Sequence, residues 1–136
     1  MQEEIDELVA RFFGVFDNRN GRVPDFAAFA TLFIRGAVIT VRNAGNVQVL
    51  SLADFVAPRE KLLTGGALTD FHEWELESDT FVSGGIASRN CRYRKEGTMN
   101  ELPYTGQGTK SFHFVRTDSG WRIASVLWED SDAAIR

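Results

Sequence analysis

The chain has 136 residues, with 43% hydrophobic and 25% charged residues and a net charge of −4. That length and balance fit one globular domain, residues 1–136, and exclude a disordered or fibrous chain. The acidic total and the absence of a basic stripe argue against nucleic-acid binding, since only Arg89 to Lys95 is locally basic. A single cysteine, Cys91, rules out an internal disulfide or a thiolate metal cluster and fits a reducing compartment. No apolar run is long enough to cross a bilayer as a helix, and the acidic N-terminus does not read as a targeting signal, so a cytoplasmic protein that does not act at a membrane is expected.

From Glu3 to Asp17, Ile5, Leu8, Val9, Phe12, Phe13 and Phe16 fall at spacings of three and four, which predicts an amphipathic helix. Its early carboxylates suit the positive end of the helix dipole, and Asp17-Asn18-Arg19-Asn20-Gly21 ends it. Pro24 opens a second helix whose apolar stripe is Phe26, Phe29, Leu32 and Phe33. Short strands follow at Ala37 to Arg42 and Val47 to Leu50, around an Asn-Ala-Gly-Asn turn. Ser51 caps a third helix that Pro58 is expected to kink or break and Gly65-Gly66 to end.

The remainder reads as long strands. Leu68 to Glu77 alternates, with His72, Trp74 and Leu76 on one face and Phe71, Glu73 and Glu75 on the other. Ser78-Asp79 is read as a turn, Thr80 to Lys95 as a strand bent by a bulge at Gly84-Gly85, and Glu96 to Gly108 as a loop. Gly108 to Asp130 forms a hairpin around Thr117-Asp118-Ser119-Gly120. Helices first and antiparallel strands after predict an α+β domain in which three N-terminal helices pack on a strongly curved, mainly antiparallel sheet.

This order of elements resembles the nuclear transport factor 2-like superfamily, also called the cystatin-like cone, and within it the SnoaL-like group of small bacterial proteins. The residues that carry the resemblance are Asp17-Asn18-Arg19, Phe71 with Glu73, Tyr93 to Gly97, Gly120 to Ile123 and Trp128-Glu129-Asp130. It covers essentially the whole chain. It implies a cone-shaped sheet around a pocket, a small-molecule ligand, and a homodimer formed through the outer sheet face. It is far weaker for function, because the superfamily spans isomerases, dehydratases, cyclases, association modules and transport factors.

The chemical candidates are few. Ketosteroid isomerase, an enzyme of this fold, uses a carboxylate base with a tyrosine and a protonated aspartic acid. At the corresponding places this chain has Thr40 or Val41, Phe12 and Phe112, none of which can play those roles. His72, beside Trp74, is the pocket-histidine candidate, and Asp17 is the carboxylate that would serve it, as in dehydratases of the fold. His113 alternates with Phe112 and Phe114 and so faces away from them. Glu73 and Glu75 share a face two residues apart, where like charges would push one pKa upward as in a catalytic pair, but they read first as solvent-facing or paired with Arg89, Arg92 or Arg94 of the next strand. No metal-ligand spacing and no cofactor fingerprint is present, so neither metal nor cofactor is expected.

The aromatic set is the strongest signal: sixteen aromatics, eleven of them Phe. If Thr117 pairs with Gly120, Phe112, Phe114, Ile123, Ser125 and Leu127 share one hairpin face, and Phe12, Phe16, Phe29 and Phe33 meet it from the helices. That set is either plain core or the wall of an apolar cavity. Lys110, near the strand start, would then greet a polar group at the mouth, while Tyr93 and Trp128 suit a pocket and a dimer equally. The leading expectation is a protein that binds an apolar or aromatic molecule. The alternatives are an enzyme of the dehydratase, isomerase or cyclase type using His72, and an oligomerisation module with a filled core.

Overall fold

The computed structural model describes residues 2–131. Six strands form one sheet: β1 (Phe33–Asn43), β2 (Asn46–Leu50), β3 (Leu68–Ser83), β4 (Ile86–Met99), β5 (Leu102–Thr117) and β6 (Gly120–Asp130), in the order β2-β1-β6-β5-β4-β3. Every neighbouring pair is antiparallel except β1 with β6, so the sheet is mixed. It curves without closing and leaves β2 and β3 as its edges. Helices α1 (Gln2–Gly14), α2 (Phe26–Ala30) and α3 (Leu52–Thr64) pack on its inner face.

The helices follow from local signals, with two corrections. α1 buries Ile5, Leu8, Val9, Phe12 and Phe13, as its periodicity requires. α2 is shorter than expected, and Asp25, not Pro24, begins it by accepting the Ala28 N–H at 3.0 Å. Phe33 belongs to β1, because parallel pairing with β6 draws the chain into the sheet, starting at the Ile123 N–H to Leu32 C=O bond of 2.8 Å. α3 is capped by Ser51, which accepts from Asp54 N at 3.1 Å. It runs unbroken through Pro58. Phe55 and Leu63, buried on either side of the proline, hold both halves on the core and offset the lost hydrogen bond.

Asn18 ties the helices to the sheet. Its side-chain amide donates to Leu63 C=O (2.9 Å) and Leu68 C=O (2.7 Å), and its carbonyl accepts from Phe71 N–H (2.8 Å). One residue just past α1 therefore fixes the end of α3 and the start of β3 together.

The strands differ from expectation where glycine has more than one meaning. Gly84-Gly85 is the β3–β4 turn, with Gly84 at φ +58. Ser78-Asp79 lies inside β3, opposite Cys91 and Asn90, where an edge strand tolerates exposed polar side chains. The bends in β3 fall at register shifts between Thr69 and His72 and between Glu75 and Glu77. The expected loop from Glu96 to Gly108 is instead the end of β4, a two-residue turn at Asn100-Glu101 and the start of β5.

The closing hairpin pairs Thr117 with Gly120, as its turn residues predict. Farther along, Phe114 pairs with Ile123 but His113 pairs with Ser125, which leaves Ala124 as an extra residue. That bulge reverses the parity of β6. Trp121, Ile123, Val126 and Trp128 are buried, whereas Leu127 is 52% exposed. Ser125 and Leu127 therefore leave the inner face assigned to them by simple alternation.

Candidate functional site

Beneath α3 the inner face of the sheet encloses a cavity of about 270 Å³. Phe55, Arg59 and Leu63 of α3 form its roof, with Phe16 beside them. Its floor takes inward-facing residues from four strands: Phe71 and Glu73 of β3, Tyr93 and Lys95 of β4, Tyr104 and Lys110 of β5, Trp128 and Asp130 of β6. Val41, Leu68 and Met99 complete the apolar part.

Two strand glycines make the polar floor possible. Gly108 stands opposite both Tyr93 and Asp130. A Cβ there would lie 2.8 Å from the Tyr93 hydroxyl and 2.3 Å from the Glu129 carbonyl oxygen. Its absence lets the Tyr93 hydroxyl reach across β5 and donate to Asp130. Gly106, opposite Lys95, leaves similar room: a Cβ there would lie 2.8 Å from Lys95 Cε. Lys95 Nζ then reaches Asp130 Oδ2 at 2.7 Å. Burial acts to raise the Asp130 pKa, but Lys95 and the Tyr93 hydroxyl outweigh it and hold the carboxyl below its ordinary range. Burial, with Asp130 alongside, pushes the Tyr93 hydroxyl up, so it stays a donor at neutral pH.

Lys110 is the most enclosed charge, with its side chain 3% exposed. Its ammonium lies 3.8 Å from the Trp128 ring centroid and 4.0 Å from that of Tyr93. Glu73 Oε1 is 3.8 Å away, an ion pair beyond hydrogen-bond length. Burial outweighs that carboxylate and lowers the lysine to about 8. Glu73 Oε1 is itself buried and has no hydrogen-bond partner among the described residues. From above, the Arg59 guanidinium lies over the Phe55 ring at 3.9 Å and donates to Phe55 C=O at 3.2 Å. The site thus joins an aromatic box to acceptors and donors that can orient a guest, and Lys110 titrates near enough to neutrality to move a proton.

Of the residues singled out from sequence, Phe16 and Lys110 line this cavity, and so do Tyr93 and Trp128, which the sequence left between a pocket and a dimer. Phe12, Phe29, Phe33, Phe112 and Phe114 are buried in the neighbouring solid core, with ring centroids 5.0–6.3 Å apart from Phe12 to Phe29, Phe33 and Phe112 and from Phe29 to Phe33. Trp74 stacks on His72 at 4.4 Å, on the face of β3 opposite Phe71 and Glu73. His72 Nε2 lies 3.3 Å from Glu96 Oε1. Asp17 pairs with Arg19 and Arg22, and the Arg19 hydrogen bond chiefly holds its carboxyl near 2. No hydrogen bond or ion pair joins His72 to Asp17 among the described residues. Ser125 contacts His113 Nδ1 at 3.3 Å on the outer face.

Glu73 and Glu75 share a face but have different partners: Glu75 is held by Arg89, at 3.0 and 2.5 Å, and Arg89 also reaches Asp6. Sequence reading missed Arg59, Glu73, Lys95 and the Tyr93–Asp130 bond as one site. The available signal was Gly106 and Gly108, since glycine inside a strand marks close approach of another group.

A bent mixed sheet roofed by three helices, with a cavity under the third, is the nuclear transport factor 2-like, or cystatin-like, fold. Solved structures that share it include a cystatin-like-fold protein of Novosphingobium aromaticivorans, 20% identical, covering 98% of this chain and 86% of that one at a TM-score of 0.71. A nuclear transport factor 2-like superfamily protein of Salmonella enterica is 15% identical, with coverages of 93% and 87% and a TM-score of 0.73. A protein of Streptomyces avermitilis, provisionally named a dehydratase of that family, is 12% identical, with coverages of 95% and 94% and a TM-score of 0.74. The chain matches no protein-family profile and no curated protein. Among the described residues no helix is long and apolar enough to cross a membrane, and no three His, Cys, Asp or Glu side chains converge to hold a metal ion.

Proposed function

We propose that this protein is a small-molecule-binding cone of the SnoaL-like kind, whose guest has an aromatic or apolar body and sits beneath α3. The observation that carries the reading is a cavity of about 270 Å³ in which Glu73 Oε1 is buried without a hydrogen-bond partner among the described residues. An unpaired buried acceptor is costly unless something donates to it. The volume sits just under the usual range for drug-sized ligands, so the guest is no larger than a fused bicyclic ring. Isothermal titration with 2-naphthol is expected to give 1:1 binding with a Kd of about 10 µM to 1 mM. Met99→Trp, which adds bulk to a half-buried wall position, should abolish it. Heat indistinguishable from dilution with the unaltered protein would defeat the reading.

A conversion of the guest rather than simple binding is supported by Lys110, which titrates near 8 inside the cavity, and by the provisional name of the Streptomyces neighbour. Any such chemistry belongs to the Glu73–Lys110 floor rather than to His72, which faces away.

We also propose a homodimer through the outer sheet face. Phe81, Ser88, His113, Ser125 and Val38 form one cross-sheet row there, with Phe81 66% and Val38 41% exposed. Light scattering at tens of micromolar protein should return twice the chain mass; a monomer would contradict this.

A further inference from the structure

We propose that the cavity selects organic anions, namely small aromatic carboxylates, and that Arg59 receives the carboxylate. This rests on the ligand-binding reading above and names its substrate class. The charged residues of the wall are Arg42, Arg59, Lys95, Lys110, Glu73 and Asp130, which makes four cations against two carboxylates in a protein whose net charge is −4. Lys95 is matched by Asp130 at 2.7 Å, Lys110 by Glu73 at 3.8 Å, and Arg42 by Glu129 outside the cavity. Arg59 is left over: among the described residues no carboxylate lies within 4.0 Å of its nitrogens.

Its geometry suits an anion. One guanidinium nitrogen donates to the Phe55 carbonyl, and the guanidinium carbon lies over the Phe55 ring, 3.9 Å from its centroid and 5.7 Å from that of Trp128. The fork is therefore fixed in orientation while its other N–H groups remain free of hydrogen bonds to described residues. A planar carboxylate is the natural complement of such a fork. The aromatic box formed by Phe55, Phe71, Tyr104 and Trp128 takes the ring to which the carboxylate is attached. A cationic guest could donate to Glu73 Oε1, but it would have to do so beside Lys110, 3.8 Å from that oxygen, and in a wall that also carries Arg59 and Lys95.

The test compares three probes of one shape by isothermal titration at pH 7: 2-naphthoate, 2-naphthol and 2-naphthylmethylamine. Expected is a Kd for 2-naphthoate at least about tenfold below that for 2-naphthol, the size of one charge-assisted hydrogen bond, with the ammonium probe weakest. Arg59→Met should erase the advantage of the carboxylate, bringing the 2-naphthoate and 2-naphthol Kd values measured in that same variant to within about threefold of each other. Arg59→Lys, which keeps the charge without the fork, should retain part of it, and thermal melts of both variants report whether the fold is intact. If 2-naphthoate binds no tighter than 2-naphthol, anion selection is wrong and the ligand-binding reading survives. If the advantage persists in Arg59→Met, the assignment to Arg59 is overturned. If no probe binds, both readings fall together.

Discussion

Phe12→Ala is expected to lower the free energy of unfolding by about 3–5 kcal/mol. Phe12 has no exposed surface, and its ring centroid lies 5.1–6.3 Å from those of Phe13, Phe16, Phe29, Phe33 and Phe112. Removing it opens a hole that five neighbouring rings cannot fill without leaving their own packing. A domain of this size has roughly 5–15 kcal/mol in total, so the variant should stand at the edge of unfolding at room temperature. Urea denaturation measures the loss, and Val23→Ala, at a side chain 78% exposed, should shift it by less than about 0.5 kcal/mol. A loss under about 1 kcal/mol for Phe12→Ala would mean that this ring faces open space and that the cavity extends farther under α1 than described.

Glu73→Leu is expected to cost about as much, roughly 3–5 kcal/mol, for an electrostatic reason. It leaves Lys110 enclosed by Trp128 and Tyr93 without the carboxylate 3.8 Å away. The double replacement Glu73→Leu with Lys110→Met removes both charges and should recover most of that loss, since an apolar pair avoids the desolvation of two ions. The pair also predicts a pH signature. Lys110 in the fold titrates near 8, below its ordinary value of 10.5. Between those values the unfolded chain holds more protons at this residue than the folded one, so its contribution makes stability rise with pH across that window. Below about 8 both states carry the proton and the slope from this group vanishes. Urea midpoints from pH 7.5 to 10 should therefore show a positive component that disappears in Lys110→Met. An unchanged profile in that variant would show that Lys110 does not titrate in this window.

What could be read from sequence was what local chemistry decides. The face of α1, the Ser51 cap and the Thr117–Gly120 turn depend on residues within a few positions of one another, and each stands as read. Gly84-Gly85 was misplaced because glycine serves a turn and a bulge alike, and only pairing across to β4 distinguishes them. The bulge at Ala124 carries no glycine, so nothing in the sequence marks the parity reversal that turns Ser125 and Leu127 outward and Val126 inward. The cavity was hidden for a related reason. Glu73, Tyr93, Lys110 and Asp130 lie on four strands, and they converge only through cross-strand register and the two glycines that clear their path. That Phe71 and Glu73 share a face was legible from alternation; that this face is the inner one depends on where α1 and α3 pack.

The most direct measurement of whether the space beneath α3 is a binding site is a crystal structure of the protein grown with 2-naphthoate. The account predicts one molecule with its rings against Phe55 and Trp128 and its carboxylate within hydrogen-bond reach of Arg59. Electron density for the probe only on the outer surface, with the cavity filled by collapsed side chains, would contradict it.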